Sequence, residues 1–252
     1  MEGNSCQKYH NHDIFSNPKG CNSADGTQHP FHNLNIEKCI EDIRLTQLIA
    51  MLITDGGISV FGKNGKHYNI FFVQKYKEPV SLFSELIKQI FGLQVAIRER
   101  KNSNYKWYEG RFNSKLVANQ LFQIFGTENK LAGNKRIPDF VMNNKRLARE
   151  FLRVLYGAEG CIYRKDGNKI AIEIACKPPD LKLSYKKLLN LFDIESRIYS
   201  TKISILKKSS VEKFIREIGT LDCFKVVRGN KSGERKPKIL GEMLSVLQNS
   251  PS

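Results

Sequence analysis

The apolar positions along the chain change period in a repeating order. A helical run beginning near Glu37 leads through Leu48-Ile49-Ala50-Met51-Leu52-Ile53-Thr54-Asp55-Gly56-Gly57 and stops at the acid. Two alternating stretches follow, about Ile58–Lys63 and Tyr68–Lys75, with Asn64-Gly65 as a hairpin turn between them. Ser81–Phe91 then places Leu82, Phe83, Leu86, Ile87 and Ile90 on one helical face, and Gly92 ends it. A second pair of strands is predicted at about Gln94–Lys101 and Tyr105–Phe112, across Asn102-Ser103-Asn104. A helix over Ser114–Phe125 completes the set.

The order then starts again. A helix from Lys145 carries Leu152-Arg153-Val154-Leu155-Tyr156-Gly157-Ala158-Glu159-Gly160, again an apolar run that stops at an acid and a glycine. Strands are predicted near Cys161–Arg164 and Lys169–Ala175, with Asp166-Gly167 in the turn. A helix over Leu181–Phe192 comes next, then strands near Ser196–Thr201 and Lys202–Leu206, and a helix near Ser210–Ile218. The pattern is thus αββαββα used twice, a repeat of architecture rather than of every residue. It predicts an α+β fold of two pseudo-symmetric halves, each a four-stranded antiparallel sheet with helices on one face, joined by the two packed apolar helices. The expected boundaries are an irregular extension at 1–36, a first half at 37–128, a connection at 129–144 and a second half at 145–222. A basic tail covers 223–252, with a short helix at Ile239–Leu247.

The two acid-ended runs organise the rest. A run that is apolar nearly all round its helix is buried on most sides, and small residues inside it let a second helix come close. A glycine after the acid can take the left-handed conformation that ends a helix. Each acid therefore sits at a helix C-terminus, where the last carbonyls are already negative, and a carboxylate placed there calls for a cation. Two such helices side by side bring Asp55 and Glu159 together, and divalent metals answer that charge.

Both runs resemble the LAGLIDADG motif of homing endonucleases, in the form that carries two motifs in one chain. The acids and following glycines match; the motif's first glycine is replaced by Ala50 in one copy and Val154 in the other. The resemblance covers about residues 40–220. It implies a monomeric endonuclease that cuts both strands of a long, asymmetric DNA site across the minor groove and leaves short 3′ overhangs. It also implies that the backbone carbonyls of Thr54 and Ala158 join Asp55 and Glu159 around two or three divalent ions, with Mg²⁺ the natural ion for oxygen ligands beside phosphate. Resembling enzymes place glutamine and lysine near the end of the second strand, which points to Gln74 and Lys75. The matching positions in the second half are Cys176 and Lys177, so Lys177 is a further candidate and the two sites differ.

Composition sharpens the choice of partner. The net charge is +16, from 41 Lys and Arg against 25 Asp and Glu in 28.9 kDa, which points to nucleic acid. Basic residues recur on the predicted strands, and a two-stranded ribbon fits the major groove. The candidate DNA contacts are Lys66, Arg98, Arg100, Lys106, Arg111, Arg164, Lys165, Lys169, Arg197 and Lys202. Residues 1–36 hold Cys6, His10, His12, Cys21, His29 and His32, but the spacing matches no zinc finger or ribbon, so an irregular arm is expected there.

No apolar run is long enough to span a membrane and no secretory leader is evident, so the expected setting is intracellular, the cytoplasm before an organelle. The six scattered cysteines are expected as reduced thiols. Phosphodiester cleavage by carboxylate-held metal is the function this pattern suits. Two alternatives share the fold: an intron maturase that binds structured RNA through the same basic surface, and a DNA-binding regulator without catalysis.

Overall fold

The computed structural model describes residues 42–62, 67–127, 135–165 and 169–249. The expected N-terminal arm, Lys66, and the turns Asn64-Gly65 and Asp166-Gly167 lie outside the described residues.

The first motif helix, α1 (Ile43–Ile53), opens at Asp42, whose carboxylate accepts from the Arg44 amide at 2.8 Å. It ends two residues earlier than expected, because Thr54 closes it: its amide and its hydroxyl both bond the Ala50 carbonyl at 3.0 Å. The chain continues into β1 (Gly56–Phe61), β2 (His67–Gln74), α2 (Lys77–Phe91), β3 (Ala96–Lys101), β4 (Lys106–Asn113) and α3 (Lys115–Phe125). The connection holds an unexpected short helix, α4 (Asp139–Met142), started by Pro138 with its fixed φ.

The second half repeats the plan: α5 (Lys145–Glu159), β5 (Gly160–Lys165), β6 (Lys169–Ala175), α6 (Pro179–Asn190), β7 (Arg197–Ile198), β8 (Lys202–Ile205) and α7 (Lys208–Glu217). A final helix, α8, covers Lys236–Asn249. Strand β7 is far shorter than Ser196–Thr201 because the Tyr199 amide bonds the Lys202 carbonyl at 2.8 Å and closes a tight turn.

Each sheet is antiparallel and four-stranded, in the orders β1-β2-β4-β3 and β5-β6-β8-β7. The register sorts each sheet into two faces. Ile58, Ile70, Phe72 and Phe112 form the helix-covered face of the first, and Ile170, Ile172, Ile174, Ile203 and Ile205 that of the second. Helices α1 and α5 pack on each other more extensively than any other helix pair. Ala50 and Val154, the two departures from the motif's first glycine, are both fully buried, so the pairing accommodates them.

Candidate active site and nucleic-acid interface

Gln47 donates to Glu150 across the two motif helices at 2.9 Å. The loop before α8 joins the ends of both helices: it bonds Lys75 and Tyr76, next to the Gln74 that holds Asp55, and leads into Lys236, which bonds the Gly160 carbonyl, so Asp55 and Glu159 lie at the same end of one interface. Glu150 is buried and also takes a bond from Arg153 at 3.1 Å, which satisfies its charge inside the contact.

The glycines after the acids correct one expectation. Neither Gly56 nor Gly160 is left-handed; each begins a strand, Gly160 with φ −93° and ψ 152°. They are glycines because of crowding. A Cβ on Gly56 would come within 2.8 Å of the Phe71 carbonyl oxygen, and one on Gly160 within 2.1 Å of the Tyr156 ring. The chain thus turns from buried helix to strand within one residue of each acid.

Gln74, at the end of β2, donates its side-chain amide to Asp55 Oδ2 at 2.5 Å. The Val73 amide bonds the Asp55 carbonyl at 3.2 Å, so the end of β2 holds this acid by backbone and side chain alike. The counterpart of Gln74 in the second half is Cys176, which is buried and directs its thiol to the Pro178 carbonyl at 3.7 Å. Burial pushes the Tyr185 hydroxyl well above its ordinary value, with Cys176 and Glu159 adding to the effect, so these three groups share one neighbourhood.

Two lysines complete the arrangement. Lys135 lays its ammonium on the carbonyls of Ile53, Thr54 and Gly56 at 2.7, 3.0 and 3.2 Å. Lys236 does the same on Tyr156, Gly157 and Gly160 at 3.2, 2.7 and 2.6 Å. Each thus places a full positive charge at the negative end of a motif helix, beside its acid. Sequence reasoning saw both only as part of a basic connection and a basic tail. The signal was a second internal repeat. Each lysine follows the Gly-Thr that ends its half (Gly126-Thr127, Gly219-Thr220) and precedes a proline near a helix start (Pro138, Pro237).

Lys75 does not face the acids. Its ammonium bonds the Val227 carbonyl at 2.7 Å and Ser232 Oγ at 3.4 Å, in the loop before α8. Lys177 is exposed beside Pro178.

The donor set fits a hard divalent ion. Two carboxylates and nearby backbone carbonyls are all oxygen ligands, and no group of three or more His, Cys, Asp or Glu gathers elsewhere among the described residues. Asp55 and Glu159 would hold such ions. The Ala158 carbonyl is not one of the three that Lys236 caps, whereas the Thr54 carbonyl already accepts from Lys135.

The candidate DNA contacts divide by face. On the open face of the first sheet lie Arg98, Arg100 and Arg111, beside Trp107 and Glu109. Glu109 is buried and bonds Arg111 at 2.5 Å and Arg100 at 3.1 Å, which fixes both guanidinium groups. On the open face of the second sheet lie Lys165, Lys169, Arg197 and Lys202. Glu173 sits among them, accepting from Tyr163 at 2.6 Å and Lys202 at 2.7 Å. A groove of about 650 Å³ on this face is lined by Lys165, Lys169, Arg197, Lys207 and Ser204, with Glu195 at its wall. Lys106 and Arg164 belong by register to the opposite, helix-covered faces, and Lys106 pairs with Glu99 at 2.7 Å. Among the described residues no helix is long and apolar enough to cross a membrane, and Cys161, Cys176 and Cys223 are free thiols.

Comparison with known proteins agrees with this architecture. Residues 146–219 match the family model of a LAGLIDADG-like domain. The homing endonuclease I-DmoI, solved in complex with DNA and Ca, superimposes with a TM-score of 0.54 at 19% identity, over 81% of this chain and 97% of that one. I-WcaI bound to its DNA recognition sequence gives 0.50 at 18%, over 76% and 89%. Full-length DUF199/WhiA from Thermatoga maritima gives 0.51 at 15%, over 83% and 61%. No curated protein matches in sequence. The fold is that of the two-motif LAGLIDADG homing endonucleases.

Proposed function

From this fold and its paired acids, we propose that the chain is a monomeric, metal-dependent, sequence-specific DNA endonuclease. It cuts both strands of a long asymmetric site across the minor groove and leaves short 3′ overhangs. One observation carries the reading: Asp55 and Glu159 stand at the same end of one helix pair, each beside a lysine that caps that helix. A pure binding protein has no use for two carboxylates held at negative helix ends, where they would repel phosphate.

Mg²⁺, when bound, supplies charge neutralisation at the phosphate and a more acidic water. Asp55 and Glu159 would hold it, with the Ala158 carbonyl alongside and the Thr54 carbonyl shared with the Lys135 ammonium. Gln74 fixes the rotamer of Asp55 through the 2.5 Å bond, and can orient a water on the free edge of the same amide. Lys135 and Lys236 hold the helix ends rigid and offset the negative field that would raise the cost of bringing phosphate close. Lys75 and Lys177, at the strand ends, act as cations for the phosphates that flank the scissile ones. The open faces of the two sheets supply base readout and phosphate contacts through Arg98, Arg100, Arg111, Lys165, Lys169, Arg197 and Lys202. The two halves share a plan but differ in these residues, so the target is not a palindrome. The likeness to I-DmoI and I-WcaI, both solved with DNA, supports DNA as the partner.

The test is a cleavage selection from a large randomised DNA library with Mg²⁺, beside the Asp55→Asn and Glu159→Gln variants. Discrete cut sites from the wild type alone are expected, with binding kept in both variants. Tight binding without cutting by the wild type would overturn the enzyme and leave a DNA-binding regulator.

A further inference from the structure

The two halves differ in the segment that delivers the capping lysine. Lys135 follows Gly126 by nine residues and Lys236 follows Gly219 by seventeen, so the second half carries eight extra residues. They form a small closed loop. Lys225 and Arg235 pair across its neck, the Val226 amide bonds the Glu234 carbonyl at 2.8 Å, and Gly229 and Gly233 turn it with φ of 80° and 93°.

The loop touches both sites. At its base the Phe224 ring lies on Gly157, where a Cβ would come within 2.2 Å, and the Phe224 carbonyl accepts from the Lys236 amide at 2.9 Å. Its far side crosses to the first half. The Tyr76 hydroxyl bonds the Val226 carbonyl at 3.1 Å and Ser232 Oγ at 3.2 Å, Lys75 bonds the Val227 carbonyl, and Lys225 pairs with Glu78. These partners follow directly on Gln74, the residue bonded to Asp55.

We infer that the 224–236 loop is a strap between the halves that positions Gln74 on Asp55, with Tyr76 and Ser232 as positioning residues for cleavage of one DNA strand. The activity part of this inference rests on the endonuclease reading. Lys75 and Tyr76 are the two residues that link Gln74 at the end of β2 to the start of α2 at Lys77, and both direct their side-chain polar groups to the strap. A bond made by Tyr76 sets the backbone two residues from the amide that holds the acid. The second site has Cys176 at this place, so the positioning of a glutamine amide through Tyr76 and Ser232 acts at the first site alone.

The test is strand-resolved nicking of a supercoiled target by Tyr76→Phe with Ser232→Ala, beside Gln74→Ala and the triple variant. Tyr76→Phe keeps the ring, so the fold is retained, and an unchanged melting temperature checks this. The double variant is expected to slow nicking about fivefold on the strand that Gln74→Ala slows, and not on the other. It should add nothing in the Gln74→Ala background. Equal slowing of both strands, or full additivity, overturns the positioning role. Hydrogen exchange of free protein gives a second readout, with about fivefold faster exchange expected for the amides of residues 73–76 in the double variant. Should the wild type cut nothing, the endonuclease reading falls, and exchange alone decides the strap: unchanged protection there overturns it.

Discussion

Lys135 and Lys236 are partners by pseudo-symmetry: each seats one ammonium on three carbonyls where a motif helix turns into its strand, one of them that of the glycine directly after the acid. An ammonium has three donors, and all three are used. Removing either group takes away the ammonium donor that these carbonyls share. Lys236→Met is expected to cost about 1–3 kcal/mol of unfolding free energy, read by urea denaturation. Lys135→Met should cost less, since Lys236 is only 6% exposed and Lys135 lies nearer solvent. Arginine should not restore Lys236, because a planar fork cannot replace a compact three-way donor.

Gln74 and Cys176 make the two sites unequal. The position of the amide that bonds Asp55 is held in the second half by a thiol, which is directed to the Pro178 carbonyl. Wild-type protein should therefore nick the two strands at different rates, with a nicked intermediate visible before linear product. Gln74→Ala should slow its strand about three- to tenfold and bring the two rates closer. Equal strand rates in the wild type would refute this.

The architecture was legible because two periods, 3.6 and 2, alternate in the same order twice, and because acids end both apolar runs. The site was only partly legible. Resemblance alone points to Gln74 and Lys75 near the acids, and the reach of Lys75 depends on a loop 152 residues away. Lys135 and Lys236 act on backbone carbonyls, so only their place in the repeated Gly-Thr, lysine, proline order marks them in the sequence. Register also decides what composition cannot: Lys106 and Arg164 look like Arg98 and Lys165 in the sequence, yet a one-residue step puts them on the other face.

Gly157 lies under the Phe224 ring, so its lack of a side chain is a packing requirement. Gly157→Ala gains helix propensity but must push the ring and the strap base aside. The expected net loss is about 1–3 kcal/mol, read by thermal or urea unfolding. A rise in stability would show that the ring moves at no cost.

Glu78 anchors the strap through Lys225. That ammonium, with the amide at the start of α2, holds the Glu78 carboxyl below its ordinary value against the upward push of burial. A carboxyl depressed in the folded state stabilises fully above its unfolded value, and the contribution is lost as pH falls through the folded one. Wild type and Glu78→Gln should therefore differ in stability at neutral pH, by less than about 1 kcal/mol because the pair is half-exposed. The gap should close below the usual carboxylate range. Parallel urea midpoints from neutral to acid pH measure it, and a gap that persists unchanged in acid would exclude the ion pair as its cause.

Face assignment makes a separable prediction for DNA binding. Lys165 and Lys169 line the groove on the open face of the second sheet, whereas Arg164, the residue directly before Lys165, belongs by register to the helix-covered face. Phosphate contacts release condensed counterions, so each lost contact reduces the slope of log K against log salt by about 0.9. Lys169→Met should lower the slope by about that amount and weaken all sequences alike. Arg111→Met should instead relax specificity, because Glu109 fixes its guanidinium for bidentate contact with a base edge. Arg164→Met and Lys106→Met, which change charge equally, should leave slope and specificity close to wild type. If all four substitutions shift the slope alike, the protein binds DNA through its overall charge and the open faces have no privileged role. Titrations at several salt concentrations, on a cleavable target with Ca²⁺ in place of Mg²⁺ and on random duplex, would separate these outcomes.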